Sequence, residues 1–227
     1  MNDTQYNLKI IVLAAGKSER FKAIKLVAQV KVVAQTSKKD QPQSTSLIQH
    51  VLQQILASLS VLNIEQSNLH VATGGFHQQI SEVLGKQYSI INCPDAHLGL
   101  GHTIAQSVER ILSIDNNTEI ANSSHIMITL ADQVALTTDD YIRLIEQSLS
   151  MPGKLICAKV GSELMPPAIF PQSYFNQLMN LTGDKGAKAL LHQNKENLQE
   201  VLLANAAIDI DTQQDLINWH KSNTLPL

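Results

Sequence analysis

The stretch IIVLAAGKSERFKAIK, Ile10 to Lys25, opens as a buried strand and closes as a basic loop. LKIIVLAA (8–15) is a continuous apolar run rich in β-branched residues, as expected of a parallel strand covered on both faces. Ala14, Ala15 and Gly16 then keep side chains small, so that backbone N–H groups can approach a ligand. Ser18 adds a hydroxyl, Arg20 a planar fork and Lys25 a mobile point charge. Such a loop suits a polyphosphate; the competing interpretation is an ordinary turn with surface charges. Neither GxxxxGK[ST] nor GxGxxG is present here, so a P-loop or a dinucleotide-binding turn does not fit.

The rest of the chain repeats the strand–helix alternation. Strands are predicted at 69–75, 88–93, 125–132, 154–160 and 200–204. Helical patterns occupy 46–59, the residues following Gly75 to about Leu84, 102–113, 137–149, 171–181, 184–193 and 211–220. Thr137 with acids behind it makes a good helix start. The polar run QTSKKDQPQSTS (35–46) reads as an exposed loop, and residues 1–227 as one domain. The pattern predicts an α/β fold with a mainly parallel sheet and helices on both faces.

Composition narrows the function. The chain has 227 residues, 44% hydrophobic and 16% charged, with a net charge of −3, which argues against nucleic acid as a partner. No apolar run reaches the roughly 18 residues of a membrane span, and the start lacks signal-peptide features, so a cytoplasmic location is expected. Cys93 and Cys157 have no metal or redox spacing and read as reduced core thiols.

Five segments in order carry a resemblance. LAAGKSERFKAIK (13–25) resembles the LAAGxSxRMGxPK signature of nucleotidyltransferases that act on molybdenum cofactor. NCPDAHLGLGHTIAQSV, ITLADQVALTTDDY, PPAIFPQSYFNQLMNLTGDKGAKALL and IDIDTQQDL are similar to that family's later blocks. The resemblance implies a Rossmann-like twisted sheet of the nucleotide-diphospho-sugar transferase type and transfer of a nucleoside monophosphate with release of pyrophosphate. It also implies Mg²⁺ as cofactor and a phosphorylated acceptor such as molybdopterin, with a molybdoenzyme or its chaperone as protein partner. Ala15 in Leu13-Ala14-Ala15-Gly16 is the cytidine version of the motif, so CTP is expected.

Roles follow by the same resemblance. Leu13, Ala14, Ala15, Gly16, Ser18, Arg20 and Lys25 would hold the phosphates, with Arg20, Lys25 and Asp132 catalytic. Gly74, Gly75, Gly99, Gly101 and Thr103 would meet the nucleotide, and Pro167, Thr182, Gly183, Asp184, Gly186 and Ala187 the acceptor side. Asp132 and Asp211 would bind the metal, with Asp209 as a substitute for Asp211. The alternatives are helix caps for both acids, Asp132 for the turn that follows and Asp211 for the last helix. Of the eight histidines only His102, inside GLGHT, lies near the expected nucleotide. Departures from the family pattern are Lys22, Ile24, Met165-Pro166 and the longer 35–46 loop without its glycine; they bear on substrate more than on reaction. A sugar- or alditol-phosphate nucleotidyltransferase and an inactive nucleotide-binding regulator are the competing functions; GDKGAK counts against the first. Arg20, Lys25, Asp132 and Asp211 together count against the second.

Overall fold

The computed structural model describes residues 6–21, 23–32, 43–115 and 123–222. Lys22 and most of the 35–46 run lie outside the described residues. A seven-stranded sheet forms the centre, in the order β5-β4-β1-β6-β8-β7-β9. Its strands are β1 (Leu8–Ala14), β4 (Leu69–Thr73), β5 (Ser89–Asn92), β6 (His125–Leu130), β7 (Leu155–Val160), β8 (Glu163–Pro171) and β9 (Leu198–Leu202). β2 (Gln29–Val32) and β3 (Gln43–Ser46) form a separate antiparallel pair. The polar run therefore ends in a strand that no apolar alternation announced.

β1 shows why the sheet is parallel and central. All seven residues are buried, with β4 parallel on one side and β6 parallel on the other. Leu8, Ile10, Val12 and Ala14 face one core, and Ile11 and Leu13 the other. The first core is closed by α1 (Leu47–Val61), α2 (His77–Leu84) and α4 (Thr138–Ser150). The second is closed by α3 (Leu100–Asp115), α5 (Phe175–Met179) and α6 (Lys188–Gln193). Each fully buried Leu or Ile contributes about 1.5–3 kcal/mol, and both faces of the sheet are lined with them. Helices cover both faces, as the alternation predicted. Cys93 and Cys157 are free and buried in the second core, where burial pushes the Cys157 thiol up to about 12.

β8 is the strand that sequence reading missed. It runs antiparallel between β6 and β7. The adjacent Pro166 and Pro167 within ELMPPAIFP argue against a strand, since neither offers an N–H to a ladder. They are accommodated by a break in register: Ala168 pairs with Cys157 and Met165 with Ala158, so Pro166 and Pro167 fall in a bulge. Pairing with β6 likewise stops at Ala168. Because Pro171 belongs to β8, the helix expected at 171–181 shrinks to α5. Positive φ at Gly183 and Gly186 delays the next helix to Lys188. No helix among the described residues is long and apolar enough to cross a membrane.

Candidate active site

β1 delivers its loop to the carboxyl edge of the sheet, where ligands bind in parallel α/β folds. After Ala14 the chain turns through Ser18, whose φ of 54° is in the left-handed region. The Ser18 carbonyl accepts the Phe21 N–H at 3.1 Å, and Phe21 is buried, which anchors the turn. Ser18 Oγ accepts the Lys25 N–H at 3.4 Å and keeps its own proton to offer a ligand.

Here the charged groups converge. Lys25 Nζ donates to Asp132 Oδ2 at 2.6 Å and to Asp211 Oδ1 at 2.8 Å. Arg20 Nη2 donates to the other oxygen of Asp211. Burial works against the Lys25 charge, but Asp132, and after it Asp211, outweigh that, so its pKa is raised above the ordinary lysine value. Asp209 lies beside them, and its pKa is raised by burial and by the negative charges of Asp211 and Asp132. Two facing carboxylates need a cation between them; in this structure the Lys25 ammonium supplies it.

The residues also fit a metal ion. Asp132, Asp209 and Asp211 each bring one oxygen to within 4.8 Å of the others. Asp132 Oδ1 is buried without a hydrogen-bond partner, a rare condition for a carboxylate and one that a hard divalent cation would satisfy. Asp209, expected only as a substitute, joins the set.

Neither acid serves as a helix cap. Thr137 caps α4 with Asp140 in reciprocal bonds, which leaves Asp132 out. The last helix, α7 (Gln213–Ser222), is started by Thr212 and Asp215: the Asp215 N–H reaches Thr212 Oγ1, and Asp215 Oδ2 accepts from the Thr212 and Asp211 N–H groups. The Asp211 carboxylate is thereby freed to face Lys25. The Asp132 carbonyl accepts the Ile210 N–H at 3.1 Å, which draws the acids of the 209–211 segment to Asp132.

Gln133, which sequence reasoning did not single out, fixes this corner. It is buried, and its amide nitrogen donates to Pro166 O at 2.7 Å and Ala206 O at 2.8 Å. One side chain thus ties the end of β6 to the proline bulge and to the turn leading to Asp209. A polar residue directly after a strand-end acid was the available signal.

The charged cluster lines one part of a cavity of about 620 Å³. Leu13, Ala14, Ala15, Gly16, Ser18, Arg20, Lys25, Asp132 and Asp211 line it, with Gly99, Thr103 and Asp184. Lys17 and His97 line it too, and no spacing in the sequence marked them. Gly74, Gly75, Gly101, Pro167, Gly183 and Gly186 do not line it; Gly74, Gly101 and Gly186 are closely packed instead. A Cβ on Gly74 would lie 2.7 Å from Ala96 Cβ; one on Gly101 would lie 2.7 Å from Thr182 O. Asp184, expected on the acceptor side, lines the same cavity as the β1 loop. A comparable cleft of about 690 Å³ between β5 and α3, lined by Asn92, Gln106, Glu109 and Arg110, lacks such a converging set.

Comparisons with known proteins bear on the family and the fold. Residues 10–198 match the MobA-like NTP transferase domain. The purine catabolism protein PucB of Bacillus subtilis (strain 168) is 28% identical over 208 residues, covering 90% of this chain and 92% of that one. Among solved structures, Rv0371c from Mycobacterium tuberculosis H37Rv superposes with a TM-score of 0.71 at 19% identity, covering 96% of this chain and 99% of that one. Another structure of Rv0371c, a manganese complex, has a TM-score of 0.65 at 17% identity over 95% and 99% of the two chains. A nucleotidyl transferase from Methanothermobacter thermautotroptrophicus reaches 0.71 at 13% identity, covering 96% and 98%. The fold is that of nucleotidyltransferases, and with most of its length matched the chain belongs to the MobA-like NTP transferase family.

Proposed function

We propose that the whole chain acts as one nucleotidyltransferase domain that moves CMP from CTP onto a phosphorylated acceptor, molybdopterin or its metal-loaded form. The observation that carries this reading is the convergence of Lys25 and Arg20 on Asp132 and Asp211 at the mouth of the β1 loop.

In the reaction an acceptor phosphate oxygen attacks the α-phosphorus of CTP. The new P–O bond forms as the α–β bond breaks, and pyrophosphate leaves with the electron pair. A phosphomonoester is already anionic near neutral pH, so no histidine is needed as a base. The task of the protein is to hold the phosphates and offset the charge that develops on them. The N–H groups of Ala15 to Ser18 and the Arg20 guanidinium would hold the β- and γ-phosphates. Lys25 would face the α-phosphate, whose oxygens compete with Asp132 and Asp211 for its ammonium. Mg²⁺, held by Asp132 and Asp211 with Asp209 beside them, would supply further electrostatic stabilisation of the phosphates. The base would lie toward Ala15 and the Gly99–Thr103 turn, and Ala15 supports cytosine by family analogy.

A pyrophosphate-release screen of the four ribonucleotides, with and without molybdopterin, tests the reading. CTP with molybdopterin should give turnover, and titration calorimetry should show CTP binding at least about tenfold more tightly than GTP, or ~1.4 kcal/mol. Equal affinities or a preference for GTP would remove the cytidylyl assignment. Turnover only with sugar or alditol phosphates would replace the acceptor.

A further inference from the structure

The segment Thr182 to Asp184 is docked on the start of α3 through the Gly183 backbone, which meets the Gly101 N–H and the His102 side chain. The Gly101 N–H donates to Gly183 O at 2.7 Å, and the Gly183 N–H donates back to His102 Nδ1 at 3.2 Å. A Cβ on Gly99 would lie 2.5 Å from both Gly183 O and Asp184 Oδ1. The glycines of GLGHT are therefore required by this contact. First-turn N–H groups of a helix lack partners within the helix, and here a distant loop provides one. The Asp184 carboxylate, over Gly99, also adds negative charge where a helix N-terminus favours it.

The direction of the second bond sets the role of His102. A backbone N–H can only donate, so Nδ1 is the acceptor in this bond. A proton on Nδ1 would set two donors against each other. His102 does not line the cavity, whereas Asp184 does.

We propose that His102 is a positioning residue: by accepting the Gly183 N–H it holds the 182–184 segment across the first turn of α3 and sets Asp184 at the cavity. Acceptor binding then depends on a hydrogen-bond acceptor at position 102. This step rests on the reading of the 182–186 loop as the acceptor side.

The test compares the full chain with His102→Phe, which keeps the ring and loses the acceptor, and His102→Asn, whose side-chain oxygen can replace Nδ1. In the free protein, NMR should show the Gly183 amide exchanging about tenfold faster in the Phe variant and within about threefold of wild type in the Asn variant. With CTP and molybdopterin, the acceptor KM should rise about fivefold or more in His102→Phe, well beyond any loss of CTP affinity, and His102→Asn should restore it. Unchanged Gly183 exchange in His102→Phe overturns the proposal. So does an Asn variant that behaves like Phe, or a CTP affinity that falls as far as acceptor binding. If wild type releases no pyrophosphate under any acceptor condition, the functional reading fails separately, and Gly183 exchange alone decides whether His102 holds the loop.

Discussion

Lys25 Nζ lies 2.6 Å from Asp132 Oδ2, and both side chains are largely withdrawn from water, at 10% and 19% exposure. The sequence alone treats Lys25 as a loop charge waiting for phosphate, with little part in the fold. Before any nucleotide arrives, it is already the counter-ion of two acids. Arg20 differs: at 71% exposure, its pair with Asp211 is screened by solvent.

Lys25→Met should therefore lower stability by about 1–3 kcal/mol, less than the ~3–5 of a fully buried broken pair because Asp211 keeps some solvent. Arg20→Ala should change it by less than about 0.5 kcal/mol. Urea denaturation of both variants in the presence of EDTA checks this; equal losses would mean that Lys25 carries no structural load.

Both variants should nonetheless lose transfer activity by about one to three orders of magnitude, roughly 1.4–4 kcal/mol of transition-state stabilisation. Single-turnover pyrophosphate release at saturating CTP measures it. Full turnover in either variant would remove that residue from the chemistry.

Asp132→Asn should abolish the dependence of CTP binding on Mg²⁺, and Asp211→Asn should weaken it. Asp132 contributes the partnerless Oδ1, and the amide oxygen of Asn can still accept from Lys25, so the ligand-free protein should lose only about 1 kcal/mol. Titrating Mg²⁺ and CTP against each variant is decisive. Wild-type coupling in Asp132→Asn would locate the metal elsewhere.

Gln133→Leu should leave the Pro166 and Ala206 carbonyls without their donor, at a combined cost of about 2–4 kcal/mol. Because the same amide aligns Asp132 with the 209–211 segment, the Mg²⁺ needed for half-maximal CTP binding should also rise. A loss below about 0.5 kcal/mol with unchanged Mg²⁺ dependence would make Gln133 a bystander.

Two buried histidines set the acid limit. Burial lowers the pKa of His50 and of His125 below the usual 6.5, against the opposing bonds to Val134 O and Pro152 O. In the window below 6.5 the unfolded chain binds protons that the folded chain refuses, so stability falls as pH drops through it and levels off below the folded pKa values. Melting curves from about pH 7.5 to about pH 5 should show the decline, and a His50→Gln/His125→Gln variant should flatten it. A wild-type profile that is level across that range would contradict the sign.

What was legible in the sequence is what short-range chemistry encodes. An apolar run followed by Ala-Ala-Gly and two basic residues announces β1 and its loop, and an acid closing HIMITLA announces Asp132. β8 stayed hidden because Pro166 and Pro167 argue locally against a strand, and only the register break opposite Cys157 and Ala158 makes room for them. Gly99 and Gly101 were read for their freedom to approach a ligand; the partner they approach is the backbone of a loop some eighty residues later, Gly183. Asp211 was ambiguous for a similar reason: DTQQD promises a cap, and only the structure shows Thr212 and Asp215 taking that task.

The Arg20–Asp211 pair spans 191 positions and the Lys25–Asp211 pair 186. Contacts this far apart in sequence close some of the longest loops among the described residues, and such non-local contacts are slow to form. During synthesis, residues 20–25 leave the ribosome long before their acidic partners at 209–211, and the β1 loop waits with its cations unpaired. A nascent chain can thus build much of its sheet while the Lys25–Asp132–Asp211 cluster is still incomplete. The cluster closes only once residues 209–211 have been made and fold back onto the β1 loop.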